Sequence, residues 1–371
     1  MRLDSARELK TSLLTAMLAA AAEGMGGVPG LSLWAAASLL SGDRPAGAAG
    51  RRVERALAAV CRGTFRPGLA LGVTQSAGRD YKLAVRLQAG TPVYESIVEL
   101  ARTRARGEVD VRYVGPVRKL NRRGIRRLQS VRRPLVVGCS VGRGRQPEAS
   151  RYQASLPEAG TLGCFVRFEH DPAPLLLCNN HVLADENQAA VGDAVVQPGR
   201  LDATTAKSRS TKGGRVALLA EWVELDAAGV NAVDCAVARI DAGIDVDPDT
   251  LAGHAGTFAR RHAEPQLGEE VTKVGRSTGT TRGRVSTIEL DNLFVDYDLG
   301  RLRFDRQIEI ESLDARGFSE GGDSGAVVLN RQREAVGLLF AGSETGGGHG
   351  GGLTYANPLD LVLNTLQVRM L

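Results

Sequence analysis

Aromatic residues make up only 4% of this 371-residue chain, and no apolar run reaches the ~20 residues that a helix needs to cross a bilayer. Cysteine is scarce as well: Cys61, Cys139, Cys164, Cys178 and Cys235 cannot all pair, and no spacing among them resembles a zinc site. A framework of several bridges is not apparent, and a reducing compartment is expected. A cleaved leader is also disfavoured. Residues 11–22 are apolar, but Asp4 and Glu8 stand where a leader would be positive. The expected location is cytoplasmic.

Glycine, by contrast, is plentiful at 45 residues, which suits turn-rich β-structure better than a helical bundle. The length exceeds what one ordinary core holds, so more than one domain is expected. The formal charge of +5 is unevenly spread. Twelve Arg or Lys lie between Arg102 and Arg133 against only Glu108 and Asp110, leaving +10 there and −5 elsewhere. Such a run reads first as a solvated, mobile connector. It could instead meet an acidic protein, nucleic acid or an anionic membrane. Tyr113 is its sole aromatic, which weakens a single-strand nucleic-acid role.

The chain opens with a helical pattern over residues 1–22, where Leu9, Leu13, Leu14, Met17 and Leu18 share a face and Gly24 follows. Further helices are expected at 31–40 and 51–60. Strands are expected at 69–75 and 81–87 around a turn at 77–79, a helix at 92–104, and a strand at 109–114. That β-β-α-β order makes a small α/β module. From Pro134 the pattern changes to short apolar runs between Gly, Pro, Asn and Asp, as a sandwich or barrels require. Residues 202–214 read as a polar loop, 346–352 as a glycine-rich tip, and 358–366 as a closing helix.

Three segments carry chemistry. In Gly321-Gly322-Asp323-Ser324-Gly325, glycines let the backbone turn tightly beside a serine. Acyl transfer needs that geometry, because two backbone N–H groups, here those of Gly322 and Ser324, must reach the developing oxyanion. In Leu175–Leu183 an apolar strand delivers Asn179, Asn180 and His181. A serine hydroxyl is a weak nucleophile and needs such an imidazole as base. Asp234 leads the alternating strand Cys235-Ala236-Val237-Ala238-Arg239-Ile240 and can orient the imidazole, with Asp226 and Asp241 as weaker rivals. Each segment alone has an ordinary structural reading. Together they follow the order His, Asp, Ser, with successive members 53 and 90 positions apart.

These motifs resemble the trypsin-like (chymotrypsin-fold) serine peptidase superfamily. More narrowly, Gly138–Gly142, Gly160–Val166, Cys178–Ala184 and Val274–Gly279 resemble intracellular bacterial and plant narrow-leaf-type proteins. The resemblance implies the double β-barrel for about 134–371, and with the patterns read above the chain is mainly β in three parts. These are a helical N-terminal segment (1–62), a small α/β module with the Arg-rich connector (63–133), and a double β-barrel protease domain (134–371). It implies a serine endopeptidase with no cofactor or metal, acting on protein or peptide substrates. Regulation by a partner or a homo-oligomer is expected through the N-terminal region. An inactive pseudo-protease serving as a scaffold is the alternative.

By the same analogy Phe318 lines the base of the specificity pocket, favouring an apolar or small side chain, although Glu320 and Asp323 nearby leave room for a basic one. Residues 337–342, with Phe340 and Gly342, pair with the substrate backbone as an added strand. Pro134 after Arg133 disfavours an activating cut, so Asp323 is expected to pair elsewhere or to await a partner. Asn179 and Asn180 are read as turn residues positioning His181, and Arg276 and Ser277 as a surface turn.

Overall fold

The computed structural model describes residues 1–24, 68–76, 80–89, 92–119, 128–144, 159–203, 214–348 and 351–371. The helices expected at 31–40 and 51–60, the turn at 77–79, and Cys61 lie outside these residues. So do 120–127 of the Arg-rich stretch, 204–213 of the polar loop and 349–350 of the glycine-rich tip.

Helix α1 (Leu3–Gly24) uses the expected face: Leu13, Leu14 and Met17 are buried against strands β1 (Leu69–Gln75) and β2 (Tyr81–Leu87) and helix α2 (Pro92–Arg104). Strand β3 (Val109–Tyr113) pairs parallel with β2, so α2 is the crossover that a parallel pair requires. Strand β4 (Val117–Lys119) follows.

Short strands then come in sequence. They are β5 (Leu135–Val137), β6 (Ser140–Arg143), β7 (Gly160–Thr161), β8 (Cys164–Phe168) and β9 (Leu175–Cys178). After the single turn α3 (Asn180–Leu183) come β10 (Ala194–Val196), β11 (Arg215–Trp222), β12 (Val230–Asn231), β13 (Ala236–Ile240) and β14 (Val246–Leu251). The second half holds β15 (Glu270–Gly275), β16 (Gly279–Asp291), β17 (Leu293–Tyr297), β18 (Gly300–Phe304) and β19 (Gln307–Ser312). It ends with β20 (Val327–Leu329), β21 (Ala335–Gly346), β22 (Gly352–Pro358), α4 (Leu359–Thr365) and β23 (Val368–Met370).

The expected double-barrel fold is present as one closed barrel and one half-barrel. The closed barrel runs β15-β16-β19-β22-β21-β20 and returns to β15. Val271, Val285, Ile310, Phe318, Val328 and Leu339 fill it. The half-barrel, in the order β23-β8-β9-β13-β11-β10-β6-β7, curves over a core that includes Val166, Leu176, Val237 and Leu219. Its β23 is the chain's last strand, which α4 returns to the first half.

The N-terminal module shares its sheet with the closed barrel, because β1 pairs antiparallel with β16. Charged side chains reinforce that junction. Arg86 of β2, fully buried, meets Glu309 of β19 through two bonds of 2.7 and 2.9 Å. Lys10 of α1 reaches Asp291 at 2.7 Å.

Among its described residues the Arg-rich stretch differs at β4 from the solvated connector expected of it. Within it, β4 is inserted between two strands, parallel to β17 and antiparallel to β21, and Val117 is buried. The charge count hides this, because a three-residue strand has too few side chains to show a period.

Candidate active site

The core delivers His181. Strand β9 is buried throughout, and α3, too short to stand alone, is held by Val182 and Leu183 in the half-barrel core. The two asparagines beside His181 are both buried and bonded. Asn179 Nδ2 donates to Asp234 O (2.7 Å), and Asn180 Nδ2 donates to Asn187 Oδ1 and Val223 O (2.7 Å each).

His181 Nδ1 lies 2.5 Å from Asp234 Oδ2, and the His181 backbone N–H donates to Asp234 Oδ1 (3.2 Å). Neither Asp226 nor Asp241 takes this place: Asp226 bonds locally to Ala228, and Asp241 pairs with Arg215. A residue absent from the sequence reading completes the pair. Tyr297, at the end of β17, donates its hydroxyl to Asp234 Oδ2 (2.7 Å) and sets its ring edge-on to His181, 5.8 Å between centroids. Burial pushes the Asp234 carboxyl pKa up, but the His181 charge and the bonds from His181 and Tyr297 outweigh it, holding the group below its ordinary 3.8.

Ser324 sits between Gly322 (φ 93°) and Gly325 (φ 90°), both in the left-handed region. A Cβ on Gly325 would lie 2.3 Å from Thr161 O and 2.4 Å from Cys178 Sγ, so only glycine fits. The serine is docked across the two halves of the fold, since Thr161 N of β7 donates to Ser324 O (2.8 Å). A Cβ on Gly160 would touch both Ser324 O (2.8 Å) and Val182 Cγ2 (2.7 Å), which puts the serine backbone beside the residue after His181. The Ser324 hydroxyl itself makes a long contact, 3.5 Å, to Phe340 O.

Asp323 is paired elsewhere, one of the two expected outcomes. Lys273 of β15 brings Nζ to 3.0 Å from Asp323 Oδ2. Thr278 hydroxyl (2.6 Å) and the N–H groups of Ser277 (2.8 Å) and Glu320 (3.1 Å) also donate to Asp323. Burial lowers the Lys273 ammonium pKa, opposed by the Asp323 charge.

Arg276 and Ser277 overturn the surface-turn expectation: both are buried. Arg276 forks onto Asp202 through Nε and Nη2, 2.6 Å each, and a guanidinium satisfied in this way can leave water. Ser277 donates its hydroxyl to Gly321 O. In a planar trans peptide the N–H points opposite to the carbonyl. Ser277 therefore fixes the direction of the Gly322 N–H, one of the two expected oxyanion donors, away from itself.

Phe318 and Phe340 are both buried in packed clusters. The Phe318 ring lies 5.9 Å from Lys273 Nζ, and the Phe340 ring lies 4.8 Å from Phe304. Gly342 faces β4, opposite Arg118.

Residues 161–338 match the family profile described as trypsin-like peptidase domain. Those residues carry a trypsin-like peptidase domain. The chain's solved structural neighbours include Thermobifida fusca protease A, at 18% identity and TM-score 0.43, covering 64% of this chain and 97% of that one. Cellulomonas bogoriensis chymotrypsin is similar at 18% identity and TM-score 0.42, with the same coverage of 64% and 97%. A glutamic acid-specific serine protease aligns at 16% identity and TM-score 0.44, covering 64% of this chain and all of its own. No curated protein sequence matches. No helix among the described residues of this peptidase is long and apolar enough to cross a membrane.

Proposed function

We propose that the peptidase domain cleaves peptide bonds with Ser324 as nucleophile, His181 as base and then acid, and Asp234 as the group that orients the imidazole. The N–H groups of Gly322 and Ser324 would hold the oxyanion of the tetrahedral intermediate. Attack transfers the Ser324 proton to His181 Nε2; collapse returns it to the leaving amine, and water repeats the cycle on the acyl-enzyme. The observation that carries this reading is the 2.5 Å His181–Asp234 contact, reinforced by Tyr297.

An apolar or small residue before the cut fits Phe318 at the pocket base. A cytoplasmic setting is supported by Cys139, Cys164, Cys178 and Cys235, four free thiols buried in the fold. Control through the N-terminal region is supported by its shared sheet with the closed barrel.

A second reading, a latent protease or scaffold, draws on one observation: Ser324 and His181 are only 1% and 3% exposed. Labelling by a fluorophosphonate probe separates the two. Labelling of the wild type, with none in Ser324→Ala or His181→Ala, supports an activated nucleophile. A wild type that stays unlabelled, alone and with candidate partners, supports the scaffold.

A further inference from the structure

The edge of β21 expected to receive a substrate strand is already filled by the chain itself. Strand β4 pairs antiparallel with it, Val117 opposite Ser343, Arg118 opposite Gly342 and Lys119 opposite Ala341. The neighbouring residue on β21, Phe340, carries the carbonyl contacted by the Ser324 hydroxyl, so β4 runs toward the nucleophile. The period of two sorts its side chains. Arg118 points outward, with 65% of its side chain exposed, whereas Val117 is buried and the Lys119 side chain is 13% exposed.

Lys119 ends in an acidic site. Its Nζ lies 2.6 Å from Glu186 Oε1 and 2.9 Å from Asp298 Oδ2. Glu186 is 2% exposed and also accepts the backbone N–H groups of Asp298 (3.1 Å) and Leu299 (2.7 Å), from the turn joining β17 to β18. It stands five residues after His181, where Asp185, Glu186 and Asn187 all hold positive φ (50°, 52° and 70°). Three successive non-glycine residues there are unfavourable, so the surrounding contacts must impose the conformation. The carboxylate is thus held in place, and a buried carboxylate needs a cation.

We infer that β4 is an internal substrate mimic, and that Glu186 with Asp298 forms a subsite for a basic side chain on the substrate residue that faces Ala341. The inference rests on the peptidase reading above. It names a substrate class: an extended peptide with Lys or Arg facing Ala341 and a buried apolar residue two positions earlier, where Val117 lies. It also makes the form described here self-occluded, because β4 and a substrate strand require the same backbone groups of β21.

Two measurements on the full chain test this. The first involves no chemistry. In a Ser324→Ala background, a fluorescent peptide with the sequence of residues 112–119 is titrated against proteins carrying Lys119 or Lys119→Glu, with Lys119→Ala as a milder release. Charge reversal against Glu186 and Asp298 should eject β4. The peptide should bind the released proteins at least about tenfold more tightly, and Lys→Ala at the peptide's last position should cost about tenfold or more. Adding Glu186→Gln should abolish that discrimination. Equal binding to all proteins, or no preference for lysine, overturns the proposal.

The second measurement keeps Ser324 and follows fluorophosphonate labelling. Lys119→Glu and Lys119→Ala should label at least about tenfold faster than wild type, and Lys119→Arg at the wild-type rate. Labelling of all four proteins at the same measurable rate overturns the self-occlusion. Lysine-selective peptide binding without labelling of any variant would support the subsite and reject the nucleophile.

Discussion

Lys273 Nζ lies 3.0 Å from Asp323 Oδ2, and neither side chain has any exposed surface. The residue immediately before the nucleophile is thus tied to the closed barrel by an internal cation, and no new N-terminus has to supply one. Removing one partner of a buried pair leaves a charge without compensation, at about 3–5 kcal/mol. Lys273→Met should therefore lower the melting temperature and slow Ser324 labelling at least about tenfold. Adding Asp323→Asn should recover much of the stability but not the labelling, because the bonds shaping the loop remain lost. Unchanged labelling in Lys273→Met would show that the pair does not order the nucleophile.

Tyr297→Phe removes one hydroxyl and keeps the ring against His181 and Phe304. A hydrogen bond to a charged group is worth about 1.5–3 kcal/mol, so labelling should fall roughly ten- to a hundredfold. The pH profile separates this role from a structural one. The acid limb reports the His181–Asp234 pair as a unit, because His181 must be neutral to act as base. Losing the Tyr297 bond leaves more charge on Asp234, favours the imidazolium and should move that limb to higher pH. A lower rate with an unmoved acid limb would assign Tyr297 to packing alone.

Much of the fold around this site is legible in the sequence alone. His181, Asp234 and Ser324 lie at the ends of apolar runs whose strand character is plain, and glycines announce the tight turn. The β1-β2-α2-β3 module was legible for the same reason, as its residues alternate or recur with one period throughout. Tyr297 was not, because the run Leu293-Phe294-Val295-Asp296-Tyr297 looks like any barrel strand. Its hydroxyl acquires a role only when the hairpin folds over Asp234. Arg276 and Lys273 were misread or passed over because charge in a sequence suggests solvent. Their partners, Asp202 and Asp323, stand 74 and 50 residues away in sequence. Strand β4 was hidden most completely: its fixed place comes from β17 and β21, and its own residues, Val-Arg-Lys, carry a connector's composition.

Ser277→Ala tests the loop from the other side. Without the Ser277 hydroxyl, Gly321 O loses the donor that orients the peptide carrying the Gly322 N–H. Deleting a whole oxyanion donor costs about 10²–10³ in kcat. Here the donor stays but is less well aimed, so a loss of about tenfold in kcat with KM nearly unchanged is expected. A rise in KM with kcat intact would place Ser277 in substrate binding instead.

The last prediction concerns the junction between the N-terminal module and the closed barrel. Burial pushes the Glu309 carboxyl up, but the Arg86 charge and the bonds from Arg86, Ser286 and Thr287 outweigh it and hold the group below 4.5. A carboxyl lowered in the folded state adds stability that is complete above its unfolded pKa and lost as pH falls through the folded one. Melting temperature should therefore fall as pH drops below about 4.5, in part through this pair. Arg86→Met alone should cost about 3–5 kcal/mol at neutral pH, because it leaves Glu309 buried without its cation. Adding Glu309→Leu should restore much of that loss, since an apolar replacement of a buried pair is often close to neutral. The doubly substituted chain should also fall less steeply in acid than the wild type. If the two curves stay parallel down to about pH 3, the acid sensitivity belongs to other carboxyls, with Asp234, also held low, the next to substitute.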